Sequence, residues 1–198
     1  MASHFPEITL VRHGETEWSA SGKHTGRSDI PLTPKGEDAA RRVGERLSGK
    51  SFAAVWSSPS RRARRTAELA GFGAVALTKP DLAEWDYGAY EGLKTAEILL
   101  KRPGWSLFRD GCPEGESVAE AGARAQRMVA ELRAVGGDVL VFSSAHFLRT
   151  LTARWLGLSA ADGALFVLDT ASLSVLGYEH DMSEPVLRRW NQVQVLGA

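Results

Sequence analysis

Cysteine is almost absent from this chain of 198 residues, which contains only Cys112. One thiol cannot form a disulfide within the chain, and it cannot supply the thiolate cluster of a structural zinc site. No run approaches the roughly 18–20 consecutive apolar residues that a membrane-spanning helix needs. Residues 1–7 have neither the basic start nor the apolar stretch of a secretion signal. These absences favour a soluble, cytoplasmic protein with no membrane partner.

Net charge is also absent, because 24 Lys and Arg residues balance 24 Asp and Glu residues. A chain without formal charge creates no overall field that attracts nucleic acid or anionic lipid, so we expect no nucleic-acid partner. Any affinity for a phosphate group must come from local clusters of basic side chains. The length and the 43% of hydrophobic residues are ordinary for a globular protein, and they predict a single domain over residues 1–198.

Short apolar runs alternate with amphipathic runs along most of the chain. The pattern predicts strands at 7–12, 53–57, 74–77, 138–143, 172–178 and 186–191, and helices at 34–48, 60–70, 94–101, 117–134 and 147–156. Such alternation is typical of an α/β fold, in which a mostly parallel sheet lies between two helical layers in an αβα arrangement. The last two strands have no helix between them, so we expect an antiparallel edge.

Three long segments remain without strong periodicity, at 13–33, 78–93 and 102–116. Loops of this length in compact domains are usually either functional or disordered. All three carry glycine, proline, charged or aromatic residues, and we expect them to line a pocket.

The first cluster with a chemical meaning follows the apolar run Ile8–Val11 directly and reads Arg12-His13-Gly14-Glu15-Thr16. Ligand sites of open α/β sheets collect at the carboxyl ends of strands, so His13 would lie at such a site. A neutral imidazole is a good nucleophile for phosphorus, and Arg12 offers a planar fork of donors that matches phosphate oxygens. The cluster predicts a nucleophile that faces a phosphate group. An incidental histidine in a surface loop is the alternative interpretation.

A second, basic cluster follows the predicted strand 53–57 and reads Ser57-Ser58-Pro59-Ser60-Arg61-Arg62-Ala63-Arg64-Arg65-Thr66-Ala67. Arg62 would begin a helix, where the backbone N–H groups and the helix dipole also favour an anion. The alternatives are a solvated basic helix face and a nucleic-acid patch. The zero net charge and the shortness of the run argue against nucleic acid.

A third cluster carries a carboxylate among aromatic residues and reads Leu82-Ala83-Glu84-Trp85-Asp86-Tyr87-Gly88-Ala89-Tyr90-Glu91-Gly92. The pKa of a glutamate, near ~4.3 in a free peptide, rises when phosphate charge and aromatic rings surround it. A carboxyl group in such surroundings is suited to protonate a leaving alkoxide and later to deprotonate an attacking water. The alternatives are a surface carboxylate at Glu84 and plain core packing for the aromatic rings.

Together these strings resemble the signature of the histidine phosphatase (phosphoglycerate mutase-like) superfamily. The resemblance extends over nearly the whole chain and includes the run Asp29–Glu37 before the first long helix. The resemblance is closest to the branch with sedoheptulose-1,7-bisphosphatases and broad-specificity acid phosphatases. The strings that indicate this branch are Trp18-Ser19, His24-Thr25-Gly26, Arg109-Asp110-Gly111-Cys112 and Gly115-Glu116.

The resemblance implies a phosphoglycerate mutase-like fold and a reaction through a phosphohistidine on His13. It implies that Arg12 and Arg62 hold the phosphoryl oxygens and that Glu84 is the proton donor. It further implies that the phosphate and sugar site is lined by Ser19, Thr25, Gly26 and Tyr87.

The pattern breaks at the second catalytic histidine of the family, which ends a later strand and precedes an arginine by five residues. Five residues before Arg149 stands Ser144, and a histidine follows only at His146. In one interpretation His146 replaces the missing ring, because residues i and i+2 of an extended segment share a face about 6–7 Å apart, and Ser144 adds a hydroxyl donor. In the other, His146 is structural, and the lost stabiliser costs roughly 10²–10³-fold in rate.

Several functions remain open at this point. The leading one is a phosphomonoester hydrolase without metal or cofactor, acting on a small phosphorylated metabolite such as a sugar phosphate. A metal enzyme could use His13, Glu84 and His146, although two arginines would repel the cation. A cofactor-dependent phosphoglycerate mutase would need more basic residues than segment 101–105 offers. A weakly active or non-catalytic phospho-ligand binder would explain Ser144. The sequence gives no indication of the oligomeric state.

Overall fold

The structure is a computed structural model that describes residues 5–193. Its strands are β1 (Ile8–Arg12), β2 (Ala54–Ser57), β3 (Leu77–Thr78), β4 (Val139–Ser143), β5 (Leu173–Tyr178) and β6 (Pro185–Gln192). They form one sheet in the order β3-β2-β4-β1-β5-β6. The first four strands of this order are parallel to one another, whereas β5 is antiparallel to both of its neighbours. The predicted mostly parallel sheet with an antiparallel edge is confirmed.

Helices cover both faces of the sheet. They are α1 (Glu17–Ser21), α2 (Pro34–Leu47), α3 (Arg61–Leu69), α4 (Thr95–Lys101), α5 (Leu107–Asp110), α6 (Val118–Ala134) and α7 (Ala145–Trp155), with short 3₁₀ turns at Pro80–Leu82, Gly88–Tyr90 and Ala160–Leu165. No helix in the described part of the chain is long and apolar enough to cross a membrane.

Strand alternation divides the core into two layers. Alternate side chains of β4, such as Val139 and Val141, pack with α6 and α7 on one face. Leu140 and Phe142 point the other way and pack with α2 and α3. Every residue of β4 is buried, as expected for a central strand covered on both sides. This arrangement is the predicted three-layer αβα sandwich.

A third apolar cluster lies outside this sandwich, among the segments that follow β3. It contains Trp85, Tyr87, Tyr90, Ile98, Trp105, Leu107, Phe108, Cys112 and Ala121. Trp85 is fully buried, and its indole N–H donates to the carbonyl of Glu116 at 2.9 Å. Core packing is therefore the main role of this ring, as the alternative interpretation of the third sequence cluster held.

Two element predictions need correction. The strand expected at 74–77 is only Leu77–Thr78, because the N–H groups of Val75 and Ala76 close a turn onto the carbonyl of Phe72. The helix expected at 147–156 begins two residues earlier, at Ala145. The segments expected to be loops contain α1 and α5, which are too short to show helical periodicity.

The sheet order brings the sequence clusters together. β2, β4 and β1 are neighbours and parallel, so the residues that follow them meet at one edge. His13 follows β1, the second cluster follows β2, and Ser144 follows β4. The third cluster reaches the same edge through the segment after β3.

Candidate active site

His13 is held in place by backbone hydrogen bonds on both sides. Its N–H donates to the carbonyl of Ser143 at 2.9 Å, and the next N–H, of Gly14, donates to Oγ1 of Thr66 at 3.0 Å. A side chain at Gly14 would place its Cβ 2.4 Å from the carbonyl oxygen of Gly36. Glycine is therefore required here, where the chain after β1 passes against the start of α2.

The imidazole of His13 is buried and has a defined tautomer. Nδ1 lies 2.7 Å from the carbonyl oxygen of Gly14, and Nε2 lies 3.3 Å from Nε of Arg62. A carbonyl only accepts and a guanidinium only donates, so Nδ1 carries the proton and Nε2 carries the lone pair. Burial lowers the pKa of His13 well below its ordinary 6.5, and the charges of Arg62 and Arg12 lower it further. The ring is therefore uncharged at neutral pH and has its lone pair on Nε2.

The guanidinium of Arg62 is fixed by main-chain carbonyls. Nη1 donates to Ser28 at 2.9 Å, and Nη2 donates to Thr25 at 2.8 Å and to Gly26 at 3.1 Å. The side chain is fully buried, and Arg62 is the second residue of α3. Thr25 and Gly26, which the resemblance implied as substrate contacts, thus supply carbonyl oxygens that hold Arg62.

Arg12 is the second cation of this region. Its Nη1 donates to the carbonyl of Leu168 at 2.5 Å, whereas its buried Nε has no partner among the described residues. Burial lowers the pKa of Arg12 and of Arg62, and the carboxylate of Glu84 opposes this shift for both groups. Buried guanidinium charges are costly unless an anion compensates them, so this arrangement favours an anionic ligand. We call Arg12, His13 and Arg62 the phosphoryl site.

Glu84 is buried at the amino end of α7. One carboxylate oxygen accepts from the N–H groups of Trp85 and Phe147, both at 2.8 Å, and the other accepts from His146 at 3.1 Å. These bonds satisfy N–H groups that a helix start leaves without partners, and they explain why α7 begins earlier than expected. Arg124 holds the preceding loop by donating to the carbonyl of Ala83 at 2.6 Å.

Ser144 stands where the resemblance implies a second catalytic histidine. It is fully buried and directly precedes α7, but its hydroxyl caps no helix N–H and has no partner among the described residues. The adjacent Ser143 differs, because its hydroxyl donates to the carbonyl of Leu82 at 2.6 Å. The argument that His146 shares an extended face with Ser144 is wrong, since the chain is already helical at Ala145 and His146.

His146 stands beside two further rings. Its Nδ1 lies 2.6 Å from the hydroxyl of Tyr87, and its ring stacks on that of His24 with centroids 6.0 Å apart and planes 12° apart. Burial lowers the pKa of His146 well below 6.5, and the charge of Arg149 lowers it further. Burial, followed by the charge of Glu84, raises the pKa of Tyr87, so the phenol keeps its proton.

These side chains surround a cavity of about 190 Å³. Its walls include the predicted residues Arg12, His13, Ser19, Thr25, Glu84, Tyr87 and His146. The predicted residues Arg62, Gly26 and Ser144 lie outside the cavity walls, although Arg62 contacts His13. The hydroxyl of Ser19 is engaged in the capping box of α1, where it accepts from and donates to the main chain of Thr16.

The cavity walls also contain residues that the sequence analysis did not propose, namely Gly22, Lys23, His24, Thr95 and Ala145. His24 stood in one of the strings that carried the resemblance, directly before Thr25, and its position there was the available signal. Thr95 begins α4, and nothing in its sequence context indicates a site. Across residues 5–193, no three His, Cys, Asp or Glu side chains are grouped as a metal site would require.

Known proteins resemble this chain in sequence and in fold. A model of the histidine phosphatase superfamily (branch 1) matches residues 8–193. An acid phosphatase from Mycobacterium tuberculosis is 42% identical over 89% of both chains. The sedoheptulose 1,7-bisphosphatase of Saccharomyces cerevisiae is 31% identical over 94% of this chain and 93% of its own length. The solved structure of an M. tuberculosis open reading frame superimposes with a TM-score of 0.89 and 40% identity, over 95% of this chain and 98% of the other.

Proposed function

This chain belongs to the histidine phosphatase superfamily, and we propose that it hydrolyses small phosphate monoesters through a phosphohistidine on His13. One observation carries the proposal. The uncharged ring of His13 presents the lone pair of Nε2 beside the buried guanidinium of Arg62. Arg12 and His13 both line the cavity. A nucleophile and two fixed cations together suit attack on a dianionic phosphoryl group.

In the first step, Nε2 of His13 bonds to phosphorus and the bond from phosphorus to the ester oxygen breaks. The carbonyl of Gly14, which accepts from Nδ1, stabilises the positive charge that develops on the ring. Arg12 and Arg62 neutralise the phosphoryl oxygens. The leaving oxygen takes a proton from the carboxyl group of Glu84 and departs as an alcohol.

In the second step, water attacks phosphorus from the side that the alcohol has left. Glu84 takes the proton of this water, the bond from Nε2 to phosphorus breaks, and inorganic phosphate leaves. His13 and the protonated Glu84 are thereby regenerated. No metal ion or cofactor takes part, because the two guanidinium groups supply the counter-charge.

We assign His146 to substrate binding rather than to stabilisation of phosphoryl charge. The burial that keeps its ring uncharged deprives it of the charge that the family's second histidine contributes. Ser144 adds no charge either, and it does not line the cavity. The phosphoryl site therefore works with two cations, at an expected rate cost of about 10²–10³-fold.

The proposed substrate is a small phosphorylated metabolite, such as a sugar phosphate, in the cytoplasm. The cavity of about 190 Å³ is smaller than the roughly 300–1,000 Å³ of pockets for drug-sized ligands. The names of the two relatives, an acid phosphatase and a sugar bisphosphatase, also support a small phosphorylated metabolite as the substrate. Ser144 supports a second candidate, a slow or non-catalytic member that mainly binds phosphorylated ligands.

Hydrolysis of a panel of phosphate esters in the presence of EDTA separates these candidates. The panel contains p-nitrophenyl phosphate, sugar phosphates and 3-phosphoglycerate. We expect metal-independent release of phosphate, and a loss of about 10⁴-fold or more in His13→Ala, because a catalytic nucleophile is removed. His180→Ala is the control, since His180 is an exposed residue outside the cavity.

Full turnover in His13→Ala would contradict the phosphohistidine mechanism. Phosphate binding without turnover in the unaltered protein would favour the non-catalytic candidate. Interconversion of 2- and 3-phosphoglycerate with bisphosphoglycerate present would favour a mutase.

A further inference from the structure

Two histidine rings form one side of the cavity, and the phosphoryl-transfer steps use neither of them. His24 and His146 both line the cavity and stack nearly parallel. We call His24 and His146 the histidine pair. The tautomers of the two rings determine which hydrogen-bonding groups the pair presents to a bound ester.

The tautomer of His24 follows from its contact with the main chain. Its Nδ1 lies 2.8 Å from the carbonyl oxygen of Leu93. A carbonyl oxygen only accepts, so Nδ1 must carry a proton. In the neutral form of the ring the lone pair is then on Nε2, so that this atom presents an acceptor.

The tautomer of His146 follows from the hydroxyl of Tyr87. This phenol is buried, and its only partner among the described residues is Nδ1 of His146, at 2.6 Å. If Nδ1 were the donor, the phenolic proton would have no acceptor, and a buried donor without a partner is costly. Tyr87 therefore donates to Nδ1, the proton of the uncharged ring lies on Nε2, and His146 presents a donor.

Both Nε2 atoms are without a partner among residues 5–193. We propose that they bind the hydroxyl groups of the alcohol part of the substrate, with His24 accepting and His146 donating. This inference rests on the proposed phosphatase function and narrows its substrate to phosphate esters of polyhydroxylated alcohols, the class of sugar and polyol phosphates. A hydroxyl both donates and accepts, so one hydroxyl or two adjacent ones satisfy the pair.

The same arrangement disfavours other leaving groups. The oxygens of a second phosphate or of a carboxylate only accept, and they would face the lone pair of His24 without a proton between them. An unsubstituted alkyl group would leave both Nε2 atoms unpaired. Rings of the third apolar cluster contact the pair, with the centroid of Trp105 at 5.7 Å from His24 and that of Phe108 at 5.6 Å from His146. These rings lower the local dielectric, which increases the cost of an unpaired group.

Hydrolysis of glycerol 1-phosphate and of propyl phosphate tests the inference. The two esters share one carbon skeleton, and only the first carries free hydroxyl groups. We expect the unaltered protein to favour glycerol 1-phosphate in kcat/KM by about tenfold or more, since each neutral hydrogen bond contributes about three- to tenfold. The ratio of the two kcat/KM values is the readout, because a general loss of activity or folding lowers both values together.

Two asparagine variants remove one Nε2 atom each. In His24→Asn, the amide nitrogen replaces Nδ1 and can still donate to Leu93. In His146→Asn, the amide oxygen can still accept from Tyr87. We expect each to lower the ratio about three- to tenfold. His24→Gln places its amide near the former Nε2 and should restore part of the preference. His180→Asn, at an exposed histidine, is the matched control.

A ratio near one in the unaltered protein, or a ratio that neither asparagine variant lowers, would overturn the inference. Binding measurements distinguish a failure of this inference from a failure of the proposed phosphatase function. If neither ester is hydrolysed, calorimetry measures the affinity of the same two esters for the unaltered protein. A preference for glycerol 1-phosphate that the asparagine variants remove would uphold the histidine pair. Equal affinity for the two esters would refute it.

Discussion

The phosphoryl site and the histidine pair are built in different ways. The phosphoryl site lies at the ends of central strands, and main-chain groups fix His13 and Arg62. The histidine pair lies beside the third apolar cluster, where a phenol orients His146 and aromatic rings surround both members. One region presents guanidinium charge, and the other presents ring nitrogens that donate or accept hydrogen bonds. In the function proposed above, one small cavity therefore holds a charged part for the phosphoryl group and a separate part for the alcohol of the ester.

The largest expected effect in this comparison comes from Arg62→Lys. An ammonium group cannot replace a planar guanidinium that contacts His13 and three carbonyl groups at once. We expect kcat/KM to fall about 10²–10³-fold for every ester, and inhibition by orthovanadate to weaken with it. Arg61→Lys is the matched control at the exposed neighbouring position. A loss confined to polyol esters would show that the two regions are not separate.

Acidification should destabilise the fold through the histidines of both regions. Burial lowers the pKa of His13 and of His146 well below the value of about 6.5 that an unfolded chain has. The unfolded state therefore binds more protons in this range, and the free energy of unfolding falls as the pH falls. The contribution of His13 and His146 to the free energy of unfolding is fully present above pH ~6.5. It is lost as the pH falls through the pKa values that the two rings have in the folded state.

Denaturant unfolding at several pH values between about 7.5 and 5 measures this effect. His13→Asn and His146→Asn should each lose less stability on acidification than the unaltered protein, because each lacks one buried group that takes up a proton on unfolding. Equal acid sensitivity in all three proteins would contradict the burial of these uncharged rings.

Trp105→Phe should act on the side of the histidine pair. The variant loses the hydrogen bond from the indole N–H to the carbonyl of Gly111, at 2.9 Å, and leaves a gap beside His24. We expect KM for glycerol 1-phosphate to rise about three- to tenfold, with a smaller change in inhibition by inorganic phosphate. Trp190→Phe removes a comparable indole hydrogen bond at β6 and serves as the control. An equal change in the KM for glycerol 1-phosphate and in the inhibition constant of inorganic phosphate would count against two separate regions.

The smallest expected effect is that of Ser144→Ala. Its buried hydroxyl has no partner among the described residues, so removing it leaves none of them unpaired. We expect kcat to stay within about twofold and the free energy of unfolding to stay the same or rise by about 1 kcal/mol. A loss of activity of about 10²-fold or more would instead make Ser144 a donor to the phosphoryl group and would enlarge the phosphoryl site.

The phosphoryl site could be predicted from the sequence because its residues lie at the end of a strand, directly after it, or in the first turn of a helix. Parallel neighbouring strands must place such residues at one edge. The start of α7 could not be predicted, since it depends on the carboxylate of Glu84, far away along the chain. The proposed role of His24 could not be predicted for a similar reason, because it depends on a carbonyl and on rings from other segments. A single domain over residues 1–198 stays a prediction.

Trapping of the phosphorylated protein is the sharpest test of a phosphohistidine on His13. The protein is mixed with a ³²P-labelled ester, quenched within milliseconds in alkali, which preserves phosphohistidine, and digested for mass spectrometry. We expect label on Nε2 of His13 that forms and decays at rates compatible with turnover and is absent from His13→Ala. Turnover without a labelled intermediate, or label on another residue, would contradict the account.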